Sequence, residues 1–284
     1  MIIFAPAGKP DSFGNRKFPE DLPEYLASFG LNGFELSCGR GLNISEKTYE
    51  ILPALAREHG IYLSLHAPYF ISLSGEKPEI RQKSAEYILQ SAKAASRLGA
   101  ERVVVHSGSC AKMSRETALG LAKETLSMAL EKIRQANLAV KICPETMGKI
   151  NQLGTLEEVI ELCKLDESCV PCIDFGHLNA RTHGGIKTKQ DYAAIFDTIE
   201  DKLGIERAKN LHIHFSKIEY TAGGEKKHLT FEDTDFGPDY EPLLEVVAER
   251  AYAPAIICES QGTQAEDAAI MRNYFERTGA NRGK

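Results

Sequence analysis

Eight short apolar runs alternating with eight helix-length stretches predict an α/β chain closed as a (β/α)8 TIM barrel. A second pattern points the same way: six of these runs end on, or just before, a side chain that binds divalent metal. In a barrel every strand's C-terminal end opens on one rim, so residues distant in sequence converge there. An open doubly wound sheet would instead gather its site at a single switch point. No glycine- or proline-rich linker breaks the alternation, so residues 1–284 are expected to form a single barrel domain.

The strand candidates are IIFAP at 2–6, GFELS at 33–37, YLSLH at 62–66, RVVVH at 102–106, AVKICPE at 139–145, VPCID at 170–174, LHIHF at 211–215 and AIICE at 255–259. Each is short and rich in β-branched or aliphatic residues. Helical patterns fill the gaps at about 19–30, 45–60, 77–99, 114–136, 155–165, 188–204, 240–251 and 264–279. Ser45 suits an N-cap, and Thr155 with Glu158 forms a capping-box signature. The stretch EYTAGGEKKHLTFEDTDFGPDY, residues 219–240, reads as one long loop.

Bulk composition narrows the function classes. A hydrophobic content of 43% with 26% charged residues suits a globular protein with a full core. No apolar run approaches the roughly 20 residues that span a bilayer, and MIIFAPAGKPDSFG lacks a basic n-region, so no membrane association is expected. The seven cysteines are an odd number and several sit inside apolar runs, as small buried hydrophobes do. A reducing cytoplasm and a monomer are the expectations. The net charge of −6 argues against a generally basic nucleic-acid binder. It leaves room for a local site, because bound cations can carry the positive charge to the point of contact.

The strand-end residues are His66, His106, Glu145, Asp174 with His177 just beyond, His212 with His214, and Glu259. Imidazole nitrogen and carboxylate oxygen are the donors that zinc and manganese take. Glu145 ends a strongly apolar strand, where an uncompensated carboxylate is costly to bury. His212 and His214 lie two apart and therefore share a strand face. Other signals read as structural. His59 ends a helix before Gly60, His183 sits in a polar loop, and the Cys169–Cys172 pair leads into a strand rather than opening a redox helix.

Taken together, His66-Ala-Pro-Tyr69, His106-Ser-Gly-Ser109, Glu145-Thr146, Asp174-Phe-Gly-His177, His212-Ile-His-Phe-Ser-Lys217, His228 and Glu259-Ser260 resemble the endonuclease IV family in order and approximate spacing. The resemblance covers almost the whole chain. It implies a divalent-metal enzyme, with zinc first and manganese as the alternative, that cleaves double-stranded DNA 5′ to abasic sites by attack of a metal-activated water. It implies that His66 and His106 bind one ion and that Glu145 bridges it to a second held by Asp174, His212 and Glu259. It assigns His177 and His228 to a third ion, Glu145 and Glu259 to catalysis, and Tyr69, Phe70 and Arg40 to DNA. One departure stands out. The family has an aspartate two residues before His228, where this chain has Lys226, and protonated lysine cannot bind metal. Glu225 is one residue out of register, and Asp233 and Asp235 lie further along. The alternative reading is a sugar isomerase or epimerase of the xylose-isomerase-like superfamily, using Glu145, Asp174, His212 and Glu259 around one metal.

Overall fold

The structure, a computed structural model, describes residues 1–280. Eight parallel strands make the barrel: β1 (Ile3–Pro6), β2 (Gly33–Ser37), β3 (Tyr62–His66), β4 (Arg102–His106), β5 (Lys141–Glu145), β6 (Cys172–Asp174), β7 (His212–Phe215) and, after an insertion, β10 (Ala255–Cys258). Hydrogen-bonded pairing runs β1-β10-β7-β6-β5-β4-β3-β2. The seam between β1 and β2 closes differently. Ala7 bridges Glu35, and the side chain of Asn32 substitutes for a strand by accepting from Phe4 N at 2.8 Å and donating to Ile2 O at 3.0 Å.

Helices α1 (Leu22–Ser28), α2 (Glu46–Glu58), α3 (Pro78–Leu98), α4 (Arg115–Gln135), α5 (Leu156–Cys163), α7 (Lys189–Leu203), α9 (Glu241–Glu249) and α10 (Gln264–Ala280) form the outer layer where the periodicity predicts them. Two short helices, α6 (Phe175–Arg181) and α8 (Ile205–Lys209), were not anticipated. Ser45, Ser114, Thr155 and Thr188 cap their helices through their side chains. Between barrel and helices lies the main core, with Phe13, Phe34, Phe175, Tyr192, Phe196 and Phe215 fully buried. Among the described residues, no helix is long and apolar enough to cross a membrane.

The segment read as a loop at 219–240 is in part an antiparallel hairpin, β8 (Lys217–Thr221) with β9 (Gly224–Leu229), standing on the rim after β7. Its strands are polar and partly exposed, so the apolar signal that marks barrel strands is missing.

Inside the barrel, inward positions fall into tiers because side chains alternate along each strand. The rim tier holds His66, His106, Glu145, Asp174, His214 and Glu259. One step down are Glu35, Ser64, Val104, Cys143, Cys172 and His212, all buried. This middle tier is half polar, where barrels usually place branched aliphatics.

The Thr155 cap offers a local test of the helix reading. Its Oγ1 accepts from Glu158 N at 3.2 Å while Glu158 Oε2 accepts from Thr155 N at 3.0 Å. Thr155→Ala is expected to lower stability by about 1 kcal/mol in urea unfolding, and Thr155→Ser by much less.

Candidate metal centre

Glu145, at the end of β5, is the hub of the rim. Its Oε2 lies 3.4 Å from His66 Nε2 and 3.4 Å from His106 Nε2. Its Oε1 lies 3.2 Å from His214 Nδ1 and 3.4 Å from His177 Nδ1. Each oxygen thus faces its own pair of imidazoles. The backbone holds this in place: Ser107 Oγ donates to Glu145 O at 2.6 Å. His66 is oriented by a contact of 2.8 Å from Nδ1 to Ala67 O, which leaves Nε2 for the centre.

Glu145, Asp174, His214 and Glu259 each offer a donor atom within 4.8 Å of the others'. Asp174 ends β6 and caps α6, with Oδ1 accepting from His177 N at 2.7 Å, so its Oδ2 is left for the centre. His212, expected here, is not brought into this group. His214 occupies that place, because the β6–β7 register sets Asp174 against His214 and sets Cys172, one tier lower, against His212. His212 instead contacts Glu35 Oε2 through Nε2 at 2.9 Å. Strand periodicity tells that both histidines face inward but not which one reaches the rim.

A further group joins His177, Glu225 and His228, again with donors within 4.8 Å. Lys226 does not leave a gap. In the hairpin, Glu219 pairs with Lys227 and Tyr220 with Glu225, so Lys226 is bulged out of the ladder. The bulge adds one residue, and Glu225 falls on the same face as His228 despite the three-residue spacing. Lys226 points away and pairs with Glu219 at 2.5 Å. Asp233 Oδ1 accepts from Asp235 N and Phe236 N, which fixes a turn outside the group. Ser216 Oγ holds His228 Nδ1 at 2.8 Å, leaving Nε2.

The loop after β5 makes room for this hairpin. Gly148 O accepts from Glu225 N at 3.1 Å, and Ile150 N donates to Gly223 O at 3.0 Å. A Cβ on Gly148 would sit 2.6 Å from Glu225 Cβ and 3.0 Å from His177 Cδ2. Arg181 ties down the same loop, donating to Met147 O, Lys149 O and Gln152 O at 2.7 Å.

Tyr69 and Phe70 follow β3 and are 57% and 44% exposed, high values for large rings beside a polar cleft. Tyr69 N donates to Gly39 O at 3.2 Å, which docks their loop against the one carrying Arg40. The three side chains expected at DNA therefore share one sector of the rim.

The electrostatics reflect crowding. Burial pushes the Glu145 carboxyl up, but His177, His214 and His66 overcome this and hold it well below the usual range. Burial also lowers His66, yet the contact with Glu145 wins and raises it to about 9. Burial takes His106 down to about 4, helped by repulsion from His66. Burial raises Glu259 above an ordinary glutamate, although His214 and His228 oppose the shift. Glu145 Oε2 and Asp174 Oδ2 are buried with no hydrogen-bond partner. Orphaned carboxylate oxygens facing imidazole nitrogens are the donor set of a divalent cation, so the residues fit one. Glu35 was missed from sequence, while His214 and Glu225 were named there but given no ion. Glu35 carried the signal used for Glu145, a carboxylate inside an apolar strand.

Two outcomes follow. A cation that takes His66 Nε2 must displace the proton held there, so metal addition at pH 7 should release protons and affinity should climb as pH rises towards about 9. Isothermal titration in buffers of different ionisation enthalpy measures both. Gly148→Ala should push the hairpin outward and cost one bound ion per chain while the other ligands keep theirs, as read by elemental analysis.

A model of the xylose isomerase-like TIM barrel matches residues 23–275. An uncharacterized protein of Methanocaldococcus jannaschii is 32% identical over 278 residues, covering 97% of this chain and 98% of its own. A protein named probable endonuclease 4 from Acholeplasma laidlawii is 29% identical, covering 84% and 83%. Among solved structures, a D-tagatose 3-epimerase-like protein superposes with a TM-score of 0.73 at 20% identity, covering 99% of this chain and 100% of its own. Endonuclease IV from Thermus thermophilus superposes with a TM-score of 0.69 at 21% identity, covering 96% and 98%. Likeness at such identities speaks for the fold alone, but the match along residues 23–275 goes further: the chain belongs to the xylose isomerase-like TIM barrel family.

Proposed function

We propose that this protein is a metal-dependent phosphodiesterase that cuts duplex DNA on the 5′ side of abasic sites. One observation carries the reading: nine donors, His66, His106, Glu145, Asp174, His177, His214, Glu225, His228 and Glu259, form adjoining groups linked through Glu145 and His177. That exceeds what one ion needs. The first ion would take His66, His106 and Glu145, and the second Glu145, Asp174, His214 and Glu259. A third would take His177, Glu225 and His228. Zinc is the first choice, with manganese as the alternative.

Bound there, the cations would supply Lewis-acid charge and a water of lowered pKa. The chain's own residues do the rest. Glu145 neutralises the cluster and spaces its two halves. Glu259, partly exposed and shifted upward, is suited to receive a proton at Oε2 and to orient the attacking water. Tyr69 and Phe70 offer flat apolar surface to the gap left by a missing base, where extruding the sugar costs least. Arg40 beside them meets a phosphate. We also read the protein as a cytoplasmic monomer, and the seven thiols, none in a disulfide, suit a reducing compartment.

A second reading has its own support. The group Glu145, Asp174, His214 and Glu259 suffices for a single ion and carries two glutamates able to move protons, as a sugar isomerase or epimerase requires. Purified protein with zinc or manganese should nick an abasic-site duplex in an EDTA-sensitive way, and Glu145→Gln should lower the rate by more than about 100-fold. Two or three ions per chain are expected. A single ion together with ketose epimerisation and no nicking would replace the first reading by the second.

A further inference from the structure

We propose that Glu35 is the positioning residue of this centre, holding His214 from below so that its ring presents Nδ1 to the metal. The inference rests on the metal-centre reading above and adds a residue to it. Glu35 lies in the middle of β2, wholly buried, across the barrel from β7. Ser64 Oγ donates to its Oε2 at 2.8 Å, and His212 Nε2 approaches the same oxygen at 2.9 Å. Its Oε1 has no hydrogen-bond partner, and neither has His214 Nε2, 3.0 Å away. At the other end of that ring, Nδ1 lies 3.2 Å from Glu145 Oε1 and 3.4 Å from Glu259 Oε1.

A neutral imidazole carries one N–H. For Nδ1 to offer its lone pair upward, the proton must sit on Nε2, and a buried N–H needs an acceptor. Glu35 Oε1, 3.0 Å from Nε2, becomes that acceptor once the ring turns to align the bond. Cys172, also close to His214, is a poor substitute, since sulfur accepts weakly. Ser64 and His212 fix the second carboxylate oxygen, so Glu35 has little freedom to turn away. The result is a carboxylate–histidine–metal chain running up the barrel axis, in which the anion orients the ring and strengthens it as a donor. His212, which the family resemblance placed at the metal, acts in this arrangement as a strut for Glu35.

Glu35→Gln keeps the size of the side chain and removes its charge. Metal-free wild-type and variant chains are titrated with Co²⁺ and with Zn²⁺ against a competing chelator, and folding is checked by circular dichroism and melting. The expected result is a folded variant whose affinity for one ion falls roughly 10–100-fold, with an altered Co²⁺ visible spectrum. A folded variant with wild-type affinity and spectrum overturns the proposal. Wild-type protein that binds no metal overturns the metal-centre reading itself. Should the variant not fold, nitrogen-15 histidine spectra of the zinc-loaded wild type decide. His214 with its proton on Nε2 supports the assignment, and a proton on Nδ1 overturns it.

Discussion

Everything at the rim depends on one buried carboxylate. Glu145 is in contact with four imidazoles, two at each oxygen, and it sits where water cannot compensate its charge. Burial alone would protonate it. The histidines reverse that, and the outcome is a fixed anion with donors on both sides. The barrel makes this possible because β3, β4, β6 and β7 deliver one imidazole or carboxylate each to the same height.

Much of this was readable in the sequence because strand ends are a strong signal. Runs such as RVVVH and VKICPE declare both a strand and the residue that leaves it, so the eight strands and the participation of His66, His106, Glu145, Asp174 and Glu259 in one cluster could be anticipated. What escaped was set by register. His212 and His214 differ by one tier, and only the pairing with β6 decides which meets Asp174. Glu225 escaped for a related reason. Counting residues back from His228 assumes a regular strand, and the bulge at Lys226 breaks that count. The hairpin itself was hidden because its faces are polar and no apolar alternation marks it. Glu35 was legible in principle, since a carboxylate in GFELS is as costly to bury as one in KICPE, but no strand-end motif drew attention to it.

The middle tier gives the barrel an unusual interior. Glu35, Ser64, Cys172 and His212 occupy positions that a purely structural barrel would fill with valine or isoleucine. Their polarity costs stability unless each group is matched, and Glu35 is matched mainly through histidines. The seam between β1 and β2 is close by, closed by Ala7–Glu35 and by the Asn32 side chain rather than by a full ladder. The backbone of Glu35 and its carboxylate therefore serve different walls of the same junction.

The hairpin contributes Glu225 and His228 but none of the residues around Glu145, and it leans on the loop after β5 at Gly148 and Ile150. The outer group is thus half on the barrel, through His177, and half on an appendage. Such a site is modular. An insertion, deletion or slip within the appendage would alter the outer donors Glu225 and His228 without disturbing the inner group. The bulge at Lys226 has the form of such a slip: it adds one residue to β9 and sets Glu225 on the face of His228.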